Sequence, residues 1–211
     1  MADPTIYALA GVNGSGKSSI GGATFESRGV VYYNPDEAAK QLKAIHPNMT
    51  QPIANGHAWT LGKEMLEKAI AKKETFAFET TLGGDTMTSL LIQAAEAGLK
   101  VKIWYAGLHS VELNIARVKA RVDTGGHDIP KSDIRKRWDG SRRNLLKLLP
   151  HIDSLRLYDN SEEAAPETGK QPQPKLLLHI ESLKIVGPEL SGAPEWAKPI
   201  IAGAVNSYEQ P

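Results

Sequence analysis

The chain has 211 residues, 41% hydrophobic and 23% charged, with a formal net charge of +1. That length suits one α/β domain with a full core, and that charge excludes a chain that coats nucleic acid or an anionic membrane. The absence of cysteine removes disulfides, thiolate metal sites and thiol nucleophiles together, and suits a cytoplasmic protein.

The first predicted element is a buried strand, Thr5 to Ala10 (TIYALA). The N-terminus lacks a basic n-region, so this apolar run reads as a strand and not as a signal peptide. No segment approaches the apolar length that spans a bilayer. Gly11-Val12-Asn13-Gly14-Ser15-Gly16-Lys17-Ser18 follows and fits G-x-x-x-x-G-K-[ST]. A strand, this loop and then a helix wrap backbone N–H groups around phosphate oxygens, and Lys17 reaches the β- and γ-phosphates. Gly11, Asn13, Gly14, Ser15, Gly16, Lys17, Ser18 and Ser19 are the candidate ATP-binding residues. The Ser18 hydroxyl is the candidate ligand of Mg²⁺.

Beyond the loop, β-rich runs alternate with helical patterns, the mark of a mostly parallel sheet covered on both faces. A helix capped by Gly29 leads to a strand at Val30 to Tyr33; further strands are expected at Thr75 to Glu79, Val101 to Ala106 and Leu155 to Tyr158. Residues 50–72 carry Ala54, Ala58, Leu61, Met65 and Ala69 at helical spacing, and residues 85–97 carry Met87, Leu90, Leu91 and Ala94; these stripes read as core. Residues 162–174 (EEAAPETGKQPQP) are polar and proline-rich and read as a linker. Lys175 to Val186 is expected to add one or two edge strands, and Ala197 to Val205 a final helix. The whole, residues 1–211, reads as one domain with a core of 5–161 and a C-terminal extension of 175–211.

In parallel α/β sheets ligands bind beyond the carboxyl ends of the strands. Asn34-Pro35-Asp36-Glu37 follows the second strand and Glu79-Thr80-Thr81 the third. Asp36 reads either as a helix N-terminal acid favourable to the dipole or as the base that takes a proton from an acceptor hydroxyl. Glu79, with Thr80 and Thr81, reads as a substrate-contacting segment, or alternatively as the metal-side acid of an ATPase.

Arg117 and Arg121 lie four residues apart on a helix striped by Val111, Ile115, Val118 and Val122. A glycine-rich break containing His127 separates it from a helix bearing Arg135, Arg137, Arg142 and Arg143. Two arginine-bearing helices around a flexible loop predict a lid over the triphosphate; the competing reading is a solvated basic hairpin. His127 has no partner spacing of a metal site. Trp104 and Trp138 read as packing residues.

The combination of GVNGSGKSS, YNPDEAA, FAFETTLGG, RVKARVDTGGHDIPKSDIRKRW and LYDNS resembles the zeta-toxin-like P-loop kinases, a group that includes relatives described as predicted ATPases. The resemblance covers residues 5–161. It implies a P-loop kinase-like three-layer sandwich, with a mostly parallel sheet of about five strands and an arginine-bearing helical lid. Zeta toxins phosphorylate the 3′-hydroxyl of the amino sugar in UDP-N-acetylglucosamine, and a small antitoxin restrains them. The resemblance implies Asp36, Lys17 and Arg121 as catalytic residues, and Glu79 with Thr81 as substrate contacts. It departs at the lid, where His127 stands in the place of a second arginine, for which Arg135 or Arg137 supplies the charge. No antitoxin segment is read in this chain, so the implied antitoxin is a separate partner, with no membrane or nucleic-acid partner expected. The alternatives are a nucleotide-dependent ATPase acting on a protein partner, and a kinase of another nucleotide or sugar.

Overall fold

Strands buried on both faces read as near-continuous apolar runs, and Ile6, Ala8, Leu9 and Ala10 are all within 1% of full burial. They belong to β1 (Thr5–Ala10), an interior strand of the sheet in the computed structural model, which describes residues 3–21, 30, 32–163 and 173–208. The other strands are β2 (Tyr32–Tyr33), β3 (Phe76–Thr80), β4 (Lys100–Gly107), β5 (Ser154–Asp159), β6 (Lys175–Glu181) and β7 (Lys184–Gly187). The helices described are α1 (Pro35–Ile45), α2 (Gln51–Lys72), α3 (Asp85–Glu96), α4 (Val111–Asp123), α5 (Lys131–Leu148) and α6 (Lys198–Tyr208).

The sheet order is β2-β3-β1-β4-β5-β6-β7. The first five strands in that order pair in parallel, while β6 and β7 add antiparallel strands beyond β5. In register, Ala10 stands beside both Thr80 and Tyr105, so β1 and β3 end level, β4 runs two residues further to Gly107, and all three deliver their following loops to one edge. The expected mostly parallel α/β sheet is therefore present, and the stretch from Lys175, expected to add one or two edge strands, adds two, of which β7 forms the edge.

Two expectations need correction. β2 pairs only at Tyr32 and Tyr33; Val30 is not in a strand, residue 31 is not described, and the proposed Gly29 cap lies outside the described residues. Of the stripe expected on α2, Ala54, Ala58 and Ala69 are buried and Met65 packs half-buried against the core, but Leu61 is 46% exposed and Gly62 and Leu66 face inward beside it. Gly62 is inside because the Tyr33 ring lies where a side chain would go, with Tyr33 Cε1 2.7 Å from the place of a Cβ. The stripe of α3 (Met87, Leu90, Leu91, Ala94) is core as expected. Of the linker, residues 164–172 lie outside those described. No helix among the described residues is long and apolar enough to cross a membrane.

Candidate active site

The loop after β1 is built to expose backbone N–H groups. Gly14 and Gly16 adopt left-handed backbone (φ 81° and 77°), a conformation that turns successive amides toward a common centre. Gly14 cannot carry a side chain, because a Cβ there would lie 2.6 Å from the carbonyl oxygen of Asn114. The loop's own carbonyls are held from behind: Asn114 Nδ2 donates to Asn13 O (2.8 Å) and Asn160 Nδ2 to Ser15 O (2.9 Å). The Gly11 N–H donates to Thr80 O at 3.2 Å, tying the loop to the end of β3. Lys17 to Ser19 form a single 3-10 turn, and the rest of the expected helix falls outside the described residues.

Lys17 is 7% exposed, and its ammonium donates to Gly11 O at 3.0 Å and pairs with Glu79 Oε1 at 3.3 Å. The other Glu79 oxygen accepts from Tyr32 OH (3.0 Å) and Asn34 Nδ2 (3.3 Å). Asn34 also works at the other end of its amide: Oδ1 accepts from the N–H of Asp36 (2.9 Å) and of Glu37 (3.4 Å), capping α1, with Pro35 at its first position. Asp36 is thus a helix N-terminal acid, and its side chain also lines the cleft.

Asp36, Glu79, Thr80, Thr81, His127 and Arg137 all line one cleft of about 390 Å³ that opens beside Asn13 of the phosphate loop. The Thr80 and Thr81 hydroxyls accept from the N–H groups of Leu82 (3.1 Å) and Gly83 (3.3 Å), which turns the chain sharply away from β3. Across the cleft stand Asn55, Gly56 and Trp59 of α2.

The arginines divide. Arg121 Nη1 lies 3.5 Å from Asp36 Oδ2, and His127 Nε2 lies 3.7 Å from Asp36 Oδ1. Arg121 also donates to the His127 carbonyl, so the glycine-rich loop folds back over the base candidate. Arg137 donates to Asn13 Oδ1 at 2.8 Å, directly on the phosphate loop. Arg135 does not enter the cleft. It binds Glu112 at 2.9 Å, and that hydrogen bond helps hold the Glu112 carboxyl below its usual range. Arg117 is spent on the carbonyls of Asn160 (2.8 Å) and Glu162 (3.1 Å). The residue beside His127 that can bring charge to the loop is therefore Arg137.

Four residues of this site were not singled out from sequence: Tyr32, Asn34, Asn114 and Trp59. Asn34 carried a readable signal, an Asn before Pro at a helix start. Trp59 carried another, a large aromatic off the core stripe of its helix. Ser18 is exposed at the loop, and among the described residues no cluster of three or more His, Asp or Glu side chains could hold a metal. That donor set, one hydroxyl next to a phosphate cradle, suits Mg²⁺, which keeps several waters and leans on phosphate oxygens.

Residues 1–165 match the family model described as Zeta toxin. An uncharacterized protein of Haemophilus influenzae is 33% identical over 139 residues, which is 65% of this chain and 94% of that protein. Among solved structures, a chain of the AvrRxo1-ORF1:-ORF2 complex with ATP superposes with a TM-score of 0.67 at 15% identity, covering 96% of this chain. This chain spans 64% of the length of that one. The PezAT chromosomal toxin-antitoxin system of Streptococcus pneumoniae gives a TM-score of 0.55 at 15% identity, covering 75% of this chain and 68% of that one. At these identities the superpositions establish the fold.

Proposed function

The chain belongs to the zeta toxin family, and on that premise we propose that it is an ATP-dependent kinase that phosphorylates a hydroxyl of a UDP-amino sugar such as UDP-N-acetylglucosamine. The observation that carries this reading is the shared cleft: a carboxylate at a helix start, a Glu-Thr-Thr segment and an arginine all meet beside the phosphate loop.

The phosphate loop binds the triphosphate through its left-handed glycine turns and Lys17. The Ser18 hydroxyl would be this chain's ligand to Mg²⁺, and the ion would supply neutralisation of charge on the triphosphate. Asp36 orients the acceptor hydroxyl and takes its proton as the oxygen attacks. Arg121 and His127 aim the Asp36 carboxylate from one side, while its own helix start fixes it from the other. Glu79 and Thr81 hold the sugar, and Arg137 brings positive charge to the phosphate loop through Asn13. The loop of residues 124–130 closes over these groups and excludes water. In the same reading the protein works in the cytoplasm, and a separate antitoxin chain is its protein partner.

Asp36→Ala tests the assignment. It should lower phosphotransfer to UDP-N-acetylglucosamine by roughly 10²-fold or more while ATP still binds. Full transfer in that variant refutes the base role. ATP turnover as fast without any UDP-sugar as with one would favour the ATPase reading, for which the Lys17–Glu79 contact offers a metal-side acid.

A further inference from the structure

Among the described residues, four buried side-chain atoms lack a hydrogen-bond partner, and three of them belong to residues around one small cavity behind the phosphate loop: Ser15 Oγ, Asn114 Oδ1 and Trp196 Nε1. The three side chains come from the loop itself, from α4, and from the segment just before α6. All are at least nine-tenths buried, with Ser15 at 1%, Asn114 at 0% and Trp196 at 6% exposure. The cavity measures about 10 Å³, the room that one water needs.

The donor and acceptor inventory matches. Asn114 Nδ2 is committed to Asn13 O, which fixes its amide so that Oδ1 is the free acceptor. The indole N–H of Trp196 is a donor only, and the Ser15 hydroxyl serves as either. We propose that one structural water occupies this cavity, donating to Asn114 Oδ1, accepting from Trp196 Nε1–H and sharing a hydrogen bond with Ser15 Oγ. Trp196 is thereby a positioning residue for the phosphate loop.

Trp196 lies outside residues 1–165, the stretch that the family model matches. It is locked at the carboxyl end of β4: its six-membered ring covers Gly107, where a Cβ would overlap it, and its ring stands 6.5 Å from that of Tyr105. The water connects this fixed indole to Ser15 and, through the Asn114 amide, to Asn13. The C-terminal extension thus braces the two loop residues whose carbonyls Asn160 and Asn114 hold.

A crystal structure at about 1.8 Å resolution tests the water, with one density peak expected within hydrogen-bond range of all three atoms. An empty cavity, or direct pairing among the three side chains, overturns it. Trp196→Phe tests the positioning role, which rests on the triphosphate-binding reading. Its Kd for ADP, measured by calorimetry, should rise roughly threefold to tenfold, the worth of about one hydrogen bond. Leu178→Ala, at a fully buried position of β6, is the control: it should lower the melting temperature and leave the Kd for ADP unchanged. Native affinity in Trp196→Phe, or equal weakening in Leu178→Ala, overturns the positioning role. Failure of the native protein to bind ADP sinks the kinase reading and the positioning role together, and leaves the water to be judged by its density.

Discussion

Tyr105 is fully buried in β4, with its hydroxyl 2.9 Å from Ser141 Oγ on α5. Burial pushes its pKa up to about 12, against the smaller opposing pulls of the Ser141 hydrogen bond and the Arg142 charge. The folded chain therefore keeps a proton that the unfolded chain surrenders near pH 10. The stability this group contributes is whole below pH 10 and is lost as the pH rises through 12, roughly 3 kcal/mol in all. Tyr105→Phe should cost about 1 kcal/mol at pH 8, because Ser141 loses its partner, yet lose less stability than the native protein between pH 8 and 11.5. Urea denaturation at the two pH values decides it; equal losses would refute the assignment. At this scale the sequence spoke clearly wherever chemistry is local. Lys17 is placed by its own loop, and Asp36 by an Asn-Pro helix start two residues away. The arginines were opaque, because 135 and 137 differ only in which face of α5 they occupy. The crossing of α5 over the phosphate loop decides that face, and no local pattern encodes it.

Asn34 is the residue through which one element holds another. Its amide caps α1 with one atom and binds Glu79 on β3 with the other, so the start of the helix that carries Asp36 is fixed to the strand that carries the substrate segment. Asn34→Ala should destabilise the fold by roughly 1 kcal/mol through the lost cap. It should also lower kcat by a larger factor than it raises KM for ATP, because Asn34 caps the helix that carries Asp36 directly but reaches Lys17 of the phosphate loop only through Glu79. Thermal melts together with steady-state kinetics check both halves; an unchanged kcat would sever Asn34 from the placing of Asp36. Helices and strands were legible as elements because their hydrophobic periods are long and regular. On α2 the ends of the inward stripe, Ala54, Ala58 and Ala69, are legible, but Gly62 is not, because a glycine packed under an aromatic ring leaves no hydrophobic signal while the apolar Leu61 beside it is out in solvent.

At the scale of the molecule, β6, β7 and α6 finish what the family-matched portion begins. Leu177, Leu178, Ile180, Ile200 and Ile201 join the same core as β1 and β4. Burying five such side chains at roughly 2 kcal/mol each amounts to about 10 kcal/mol, as much as the net stability of an ordinary domain. A chain ending at residue 165 should therefore aggregate, with β5 as an open edge, when run by size exclusion. A shortened chain that stays monomeric and melts cooperatively would contradict this. The sequence foretells these strands but not that Trp196, just before α6, lines the same small cavity as Ser15, since only the folded sheet brings the two together.

The two walls of the cleft are anchored unequally. Loop 81–84 is pinned to α5 by Asn144, whose Nδ2 donates to the carbonyls of Leu82 (2.9 Å) and Gly84 (3.1 Å), and α5 sinks Leu145 and Leu148 into the main core. The opposite wall, α1 with the first half of α2, has a small alanine core of its own built on Ala39, Ala54 and Ala58. Opening of the cleft is therefore expected to cost less at that second wall, since the deeper half of α2, where Leu66 and Ala69 join the main core, is the better anchored part. Native-state hydrogen exchange should find the amides of residues 39–58 opening at lower free energy than those of 141–148. Equal protection of the two stretches would mean that entry to the site is governed by the glycine-rich loop alone.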